Sequence, residues 1–447
     1  MARAMRSPEA LALLRIAWPM MLAQGGMIFM GAVDTFYAGR ISPLTLGGVA
    51  LGNTWVSVVM AAGIGLAMGL EPWVAQAKGR GDGARALRWL GQGLWLSALA
   101  TLPLAGLSLV FLVSFEWMGV SLPIAEQAGS YVLARLPGHF FCFAFSTYRS
   151  FLSASGTTRP VMWAVGFGNI ANAGLDHLLV WEWGMGAAGV GWATSVCWML
   201  MWAAAWLIVR DRHRNEPREG RGPARRELGS LVRLGLPIGC QLALEVAIFA
   251  AVGTLVASEG AVALAAHQIA LMLAALTFMT ATGVAIAATA RVGQWVGAND
   301  PIRAGRAGWT AMAVGSGIMA VGGVAFWLFG APLTRVFSPD DEAVVRMGAD
   351  LLKLAAVFAV FDGLQAVGAG ALRGLGDTAF TFVANVLGHW AVGFPVALAV
   401  GWGAGLGAEG YWWGLVAGLA SVAVMLVLRF RWILSRPLVP LESTQAP

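Results

Sequence analysis

Long apolar runs separated by short polar segments fill the chain from one end to the other. A helix that crosses a bilayer needs about 20 mostly apolar residues. Twelve runs qualify: residues 11–37, 46–70, 87–115, 125–152, 160–181, 187–209, 231–257, 262–289, 304–329, 345–372, 379–400 and 406–428. Many are rich in Gly and Ala, which lets helices approach closely where no hydrophobic force drives them together. The one polar stretch of any length is residues 211–227, DRHRNEPREGRGPARRE. Mixed charge, Pro and Gly make it a solvated linker rather than a domain, and it divides the runs into six and six. The expected layout is a six-helix bundle over 1–210, a linker over 211–228, a second bundle over 229–434 and a tail over 435–447.

The two halves repeat each other. At an offset of 218, the stretch ending at Pro19 falls on the stretch ending at Pro237. The same offset pairs Gly65 with Gly283, Val74 with Val292, Gln76 with Gln294 and Gly79 with Gly297. It also pairs Asp82, Arg85 and Arg88 with Asp300, Arg303 and Arg306, and at 220 Leu152, Gly156 and Thr158 meet Leu372, Gly376 and Thr378. An even number of spans per repeat makes the halves parallel. Secondary transporters of this design place a binding site between halves that rock between two faces. The expected fold class is an all-α polytopic membrane protein with 12 transmembrane helices in two parallel six-helix repeats around a central cavity.

Composition points the same way. Of the 447 residues, 58% are hydrophobic and 12% charged, against about 25% charged in a soluble domain, and mean hydropathy is +0.71. The formal charge of +6 sits mainly on arginines between the apolar runs. That is the pattern of cytoplasmic loops, so no nucleic-acid partner is expected. Arg85, Arg88, Arg159, Arg303 and Arg306 fall in loops on one side, with the arginines of 210–226 and Arg429, Arg431 and Arg436. The opposite loops hold mainly Arg40 and Arg335, with acids such as Glu116, Glu182, Glu259 and Asp341, so both termini are expected in the cytoplasm. Short termini and compact loops fit a bacterial inner membrane, and the first run is too long for a signal-peptide core. Cys142, Cys197 and Cys240 are widely spaced inside apolar runs, with no disulfide framework or zinc spacing. The chain has no phosphate-binding loop, no metal-ligand His cluster and no nucleophile–base arrangement, so it is not expected to be an enzyme and no cofactor is expected.

Four motifs carry a family likeness. They are Gly-Ala-Val-Asp-Thr-Phe-Tyr-Ala-Gly at 31–39, Ala-Ala-His-Gln-Ile-Ala at 265–270, Ala-Arg-Val-Gly-Gln-Trp-Val-Gly at 290–297 and Ala-Leu-Arg-Gly-Leu-Gly-Asp-Thr at 371–378. Together, in this order, they resemble the MATE (multidrug and toxic compound extrusion) family, NorM-like branch, over essentially the whole chain.

Ionisable groups within spans are costly and each needs a reason. Asp34 lies in the first span, and Asp176 lies in the fifth, four residues after Asn172 and so on the same helix face. With Thr194 of the sixth span these form a candidate all-oxygen cluster, suited to a hard cation such as Na+ or to a proton. The resemblance implies that Asp34, Asn172, Asp176 and Thr194 couple transport to a cation. Glu245 in the seventh span and Asp362 in the tenth have apolar residues near their repeat positions, Met27 and Cys142. The fold itself therefore does not demand acids there, and the resemblance implies cation or cationic-substrate contact. Arg135 and Lys353 are expected to snorkel or pair with acids, and Arg149 and Arg373 to anchor topology. His389 is expected to be a packed neutral side chain, with proton sensing as the alternative. Pro19 is a candidate hinge. The expected function is secondary active efflux of cationic, amphiphilic small molecules by a monomer, through H+ or Na+ antiport. A flippase for a lipid-linked saccharide, or an exporter of one metabolite, stands as the alternative. The coupling ion is open between H+ and Na+.

Overall fold

The structure, a computed structural model, describes residues 8–117, 119–216 and 222–445. Among these there is helix and no strand, as lipid requires of a chain that does not close a barrel: every backbone N–H and C=O must be satisfied within its own segment. In chain order the α-helices are α1 (Pro8–Ile41), α2 (Pro43–Met68), α3 (Glu71–Gly79), α4 (Gly83–Trp117), α5 (Leu122–Ala154), α6 (Arg159–Asp176) and α7 (Gly186–Arg212). The second half adds α8 (Arg225–Ala257), α9 (Ala261–Gly297), α10 (Pro301–Phe337), α11 (Glu342–Gly374), α12 (Thr378–Asn385), α13 (Phe394–Leu398) and α14 (Gly407–Leu434).

Each of the twelve predicted runs falls on a helix, with α2 and α3 making one rod and α12 and α13 another. Nine described rods are long and apolar enough to cross a membrane by length and composition. The other three, built on α5, α6 and α11, carry the charges that lower their hydropathy: Arg135 and Arg149, Asp176, and Asp350, Lys353 and Asp362. Several helices outlast the apolar run that announced them; α9, for example, continues to Gly297. A helix ends at a stop signal, not where its sequence turns polar.

Those stop signals explain the repeat. Gly81 and Asn299, 218 residues apart, both take the left-handed conformation, with φ of 79° and 57°. The amide of the next residue then closes the helix end, Asp82 to the Ala77 carbonyl at 3.0 Å and Asp300 to the Trp295 carbonyl at 2.9 Å. The same two aspartates cap the following helices, accepting from the amides of Arg85 and Arg303. Gly156 and Gly376 form a second such pair, with φ of 79° and 84°.

The fifth and eleventh rods share another feature. Each widens into a π-helical stretch, His177–Glu182 after α6 and Val386–Gly393 after α12. A π turn keeps the backbone bonded while shifting the helix face, and such turns concentrate at functional sites.

By packing, the chain forms two compact units. One comprises residues 22–239, the other the start of the chain to Met21 together with 240–447. Each packing boundary thus falls three residues beyond a repeated proline, Pro19 in α1 or Pro237 in α8. Within the second unit, Glu9 of α1 makes a two-pronged ion pair with Arg291, both contacts at 2.8 Å. Within the first unit, Glu227 of α8 pairs with Arg85 at 2.8 Å and Arg88 at 2.9 Å. Part of the predicted linker, residues 217–221, lies outside the described residues. Its far end is docked rather than free: the Gln92 amide donates to the Gly222 carbonyl and accepts from the Ala224 amide, both at 2.9 Å.

Helix packing relies on missing side chains. A Cβ on Gly370 of α11 would lie 2.4 Å from the Ala285 carbonyl oxygen of α9, and backbone cannot give way. Gly370→Val is therefore expected to destabilise the protein by about 1–3 kcal/mol, read as a lowered thermal midpoint in detergent. Gly106→Ala in α4, where a Cβ meets nothing within 4 Å, is the comparison and should leave the midpoint unchanged or slightly raised.

Candidate functional site

Four polar side chains converge in the first unit. Asp34 comes from α1, Asn172 and Asp176 from the last turn and a half of α6, and Thr194 from α7, all four buried. The Asn172 amide donates to one Asp34 oxygen at 3.0 Å, and the Thr194 hydroxyl donates to the other at 2.8 Å. Thr194 sits one turn past Val190, whose carbonyl lies 3.1 Å from the same hydroxyl. The Asp34 carboxylate is thus held at both oxygens by uncharged donors.

Asp176 is held by none. Its carboxylate lies within hydrogen-bonding reach of Asp34, yet neither of its oxygens has a donor, and the Asn172 side-chain oxygen is also unpartnered. Two carboxylates are both acceptors, so they can share this space only with a proton or a cation between them. Buried acceptors of this kind are rare in native proteins, and each calls for a reason. Among the described residues no trio of His, Cys, Asp or Glu is placed to hold a metal ion. The set on offer is two carboxylates, an amide oxygen and a hydroxyl, which suits Na+ or H+ rather than a softer metal.

Arg135 differs from its expectation. It neither snorkels to water nor pairs with an acid: it is 5% exposed, and its Nε and one terminal nitrogen have no partner. It lies 6.0 Å from the centre of the Tyr131 ring, and its charge acts on Asp34. The reason is the small-residue contact of α5 with α7, where the Ser195 hydroxyl bonds the Ala134 carbonyl and draws this stretch inward. Arg149 and Arg373, the expected topology anchors, are also buried, and Arg149 donates to Gln24 at 2.8 Å. Lys353 is exposed and pairs with Asp350 at 2.8 Å.

A second polar group forms in the other unit. Gln365 of α11, three residues beyond buried Asp362, donates to Glu245 of α8 at 3.0 Å. Glu245 is close enough for its charge to act on both Asp362 and His389. His389 lies in the π-helical stretch, fully buried, with Nδ1 3.3 Å from the Asn385 carbonyl and Nε2 unpartnered. Both polar atoms of the Asn385 side chain and the Gln365 oxygen also lack partners. Sequence reasoning did not single out Gln365 or Asn385 and favoured packing for His389. The only signal was their spacing from Asp362 and from each other, which means little until α8, α11 and the π stretch are brought together. His267 is a packing residue by geometry, accepting from Trp412 Nε1 at 3.1 Å. Glu71 is a further acid that sequence reasoning passed over; it is buried and accepts from Ser150 at 3.2 Å.

Known proteins share the fold that carries these residues. The MatE family matches residues 19–178 and 237–399, one block in each half. The multidrug resistance protein NorM of Burkholderia vietnamiensis is 34% identical over 430 residues, 93% of this chain and 92% of that one. The multidrug resistance protein MdtK of Yersinia pseudotuberculosis is 32% identical over 453 residues, 96% of each. Among solved structures, a eukaryotic MATE transporter, AtDTX14, superposes with a TM-score of 0.85 at 22% identity, covering 94% of this chain and 95% of that one. A MATE family transporter in an outward-facing conformation gives 0.87 at 20% identity, over 97% of each. A family match in both halves, relatives of this identity along nearly the whole length and the same fold leave one conclusion: the chain belongs to the MATE family of transporters.

Proposed function

We propose that the protein is a secondary active multidrug efflux transporter that expels cationic, amphiphilic small molecules across the bacterial inner membrane in exchange for H+ or Na+, with both termini in the cytoplasm. The observation that carries the reading is the pair Asp34–Asp176, two buried carboxylates within reach of each other, only one of which has protein donors. Such a pair is stable only when it holds a positive charge, so it binds the coupling ion and responds to its loss. The names of the relatives, multidrug resistance proteins, support efflux of small molecules. The intramembrane groups that converge in either unit are mostly acids, which favours cations over a saccharide-lipid cargo.

In this mechanism Asn172 and Thr194 orient Asp34, so that its oxygens face Asp176 across the ion. An inside-negative potential contributes about 2.3 kcal/mol per charge per 100 mV to inward ion movement. With the ion bound, the two carboxylates keep one net negative charge, and the Arg135 charge that acts on Asp34 offsets it. When the ion leaves for the cytoplasm, the two carboxylates repel in a medium of low dielectric and α1 must move relative to α6. Pro19, lacking a backbone N–H, is where α1 bends most cheaply. In the other unit, Glu245 and Asp362 attract the cationic cargo, with Gln365 positioning Glu245. Ion and substrate are thus linked through conformation.

Proteoliposomes loaded with a fluorescent organic cation, under separately imposed proton and Na+ gradients, test this, together with a binding measurement. Wild-type protein should move the cation under one of the two gradients, which names the coupling ion. Asp34→Asn and Asp176→Asn should each abolish gradient-driven exchange while leaving the folded protein intact by thermal unfolding. Thr194→Val removes one uncharged donor, worth about 1 kcal/mol, and should shift the ion concentration for half-maximal exchange by about fivefold without abolishing it: upward for Na+, which loses an oxygen ligand, and downward for H+, because the donor stabilises the ionised Asp34 carboxylate. Glu245→Gln and Asp362→Asn should weaken cation binding, measured by fluorescence polarisation, more than they weaken ion binding. Full exchange by Asp34→Asn would overturn the proposal.

A further inference from the structure

The second unit holds a cavity, distant in sequence from the buried acids, that ion coupling does not use. Its volume is about 450 Å3, and it lies between the first turns of α10 and residues 434–438, where α14 ends. Arg306 and Arg436 line it, with Ile302, Trp309, Leu434 and Leu438. No acid is among the lining residues, and neither arginine has a carboxylate partner among the described residues. Both starting and ending helices meet here, so the cavity sits at the membrane end of two spans. Its wall is ordered: the Arg436 guanidinium lies 3.6 Å from the Trp432 ring centre, and Trp309 packs edge-on against Phe430 at 5.3 Å.

The internal repeat explains why Arg306 has no carboxylate partner. Arg306 corresponds to Arg88, which Glu227 neutralises in the first unit. The acid corresponding to Glu227 is Glu9, but Glu9 is claimed by Arg291 through both of its oxygens. Arg291 stands where the first half has Trp73. One added arginine therefore takes the acid and leaves Arg306 unpaired. The second half also supplies Arg436 and an apolar wall beside it. A lone arginine at a span end commonly snorkels into water. Two on one cavity, next to an exposed Trp and Ile, form a concave site with a cationic floor and an apolar flank.

We propose that this cavity binds the headgroup of an anionic phospholipid. Arg306 and Arg436 take the phosphate oxygens, as guanidinium groups do with two parallel N–H donors, while Ile302, Leu434 and Leu438 lie along the first methylenes of an acyl chain. The inference does not depend on which ion drives transport.

The test uses the full chain purified in a neutral detergent, with phosphatidylglycerol, phosphatidylcholine or inorganic phosphate added separately. Phosphatidylglycerol should raise the thermal midpoint saturably, and native mass spectrometry should count the bound lipid. Phosphatidylcholine and inorganic phosphate at the same concentrations should do neither, because one lacks the net charge and the other the apolar contact. Arg306→Gln with Arg436→Gln should raise the half-saturating lipid concentration by about tenfold or more. Arg306→Lys with Arg436→Lys should fall between that variant and wild type, and serves if the glutamine pair does not fold. Arg431→Gln removes an exposed charge nearby that does not line the cavity, and should bind as wild type does. Wild-type binding by the glutamine pair would overturn the assignment, as would equal weakening by Arg431→Gln, an equal response to phosphatidylcholine, or full reproduction of the effect by inorganic phosphate.

Discussion

The solvent imposes the constraint from which the rest follows. In hydrocarbon an unsatisfied backbone amide or carbonyl costs several kcal/mol, so the chain is helical wherever it is described as structured within the membrane. Lipid is as apolar as a leucine side chain, so burial of hydrophobic surface cannot hold the helices together. Close contact does that work instead. Gly370 lies against the Ala285 carbonyl, and Gly410 lies against the Gly401 backbone. Backbone-to-backbone approach of this kind replaces hydrophobic collapse as the source of specificity.

Polar side chains stand out against that background because the fold does not require them. Asp34, Asn172, Asp176 and Thr194 come from three helices, and two of the four satisfy the first while leaving the third unsatisfied. The asymmetry is chemical: amide and hydroxyl can donate, a second carboxylate cannot. A packing network would have closed itself with one more donor. Glu245, Asp362 and His389 in the other unit are comparably open, with several polar atoms unpartnered.

The repeat shows what duplication preserves and what it releases. Helix stops and caps are duplicated in kind, at Gly81 and Asn299 and at Asp82 and Asp300, with closing hydrogen bonds of 3.0 and 2.9 Å. These positions are set by backbone geometry and tolerate few residues. The charges around them have diverged. Glu227 neutralises two arginines, whereas its counterpart Glu9 is bound by an arginine with no equivalent in the first half.

Much of this was legible in the chain alone. The number and order of the helices, the duplication and the acids within spans all follow from apolar run length, a fixed offset and the cost of charge in hydrocarbon. Helix ends were read short, because hydropathy marks the extent of apolar sequence, whereas capping geometry marks the extent of helix. Arg135 was misplaced because span-end position suggests snorkelling, while burial depends on the neighbouring helix. Gln365, Asn385 and the unpartnered His389 nitrogen could not be found from spacing, since α8, α11 and a π-helical stretch must meet before they form a group. The sequence by itself determined which segments cross and which residues carry charge there, since both are properties of one segment in its solvent. Only the tertiary structure decided which of those charges have partners, because a partner lies on another helix, and the distance between helices is set by packing.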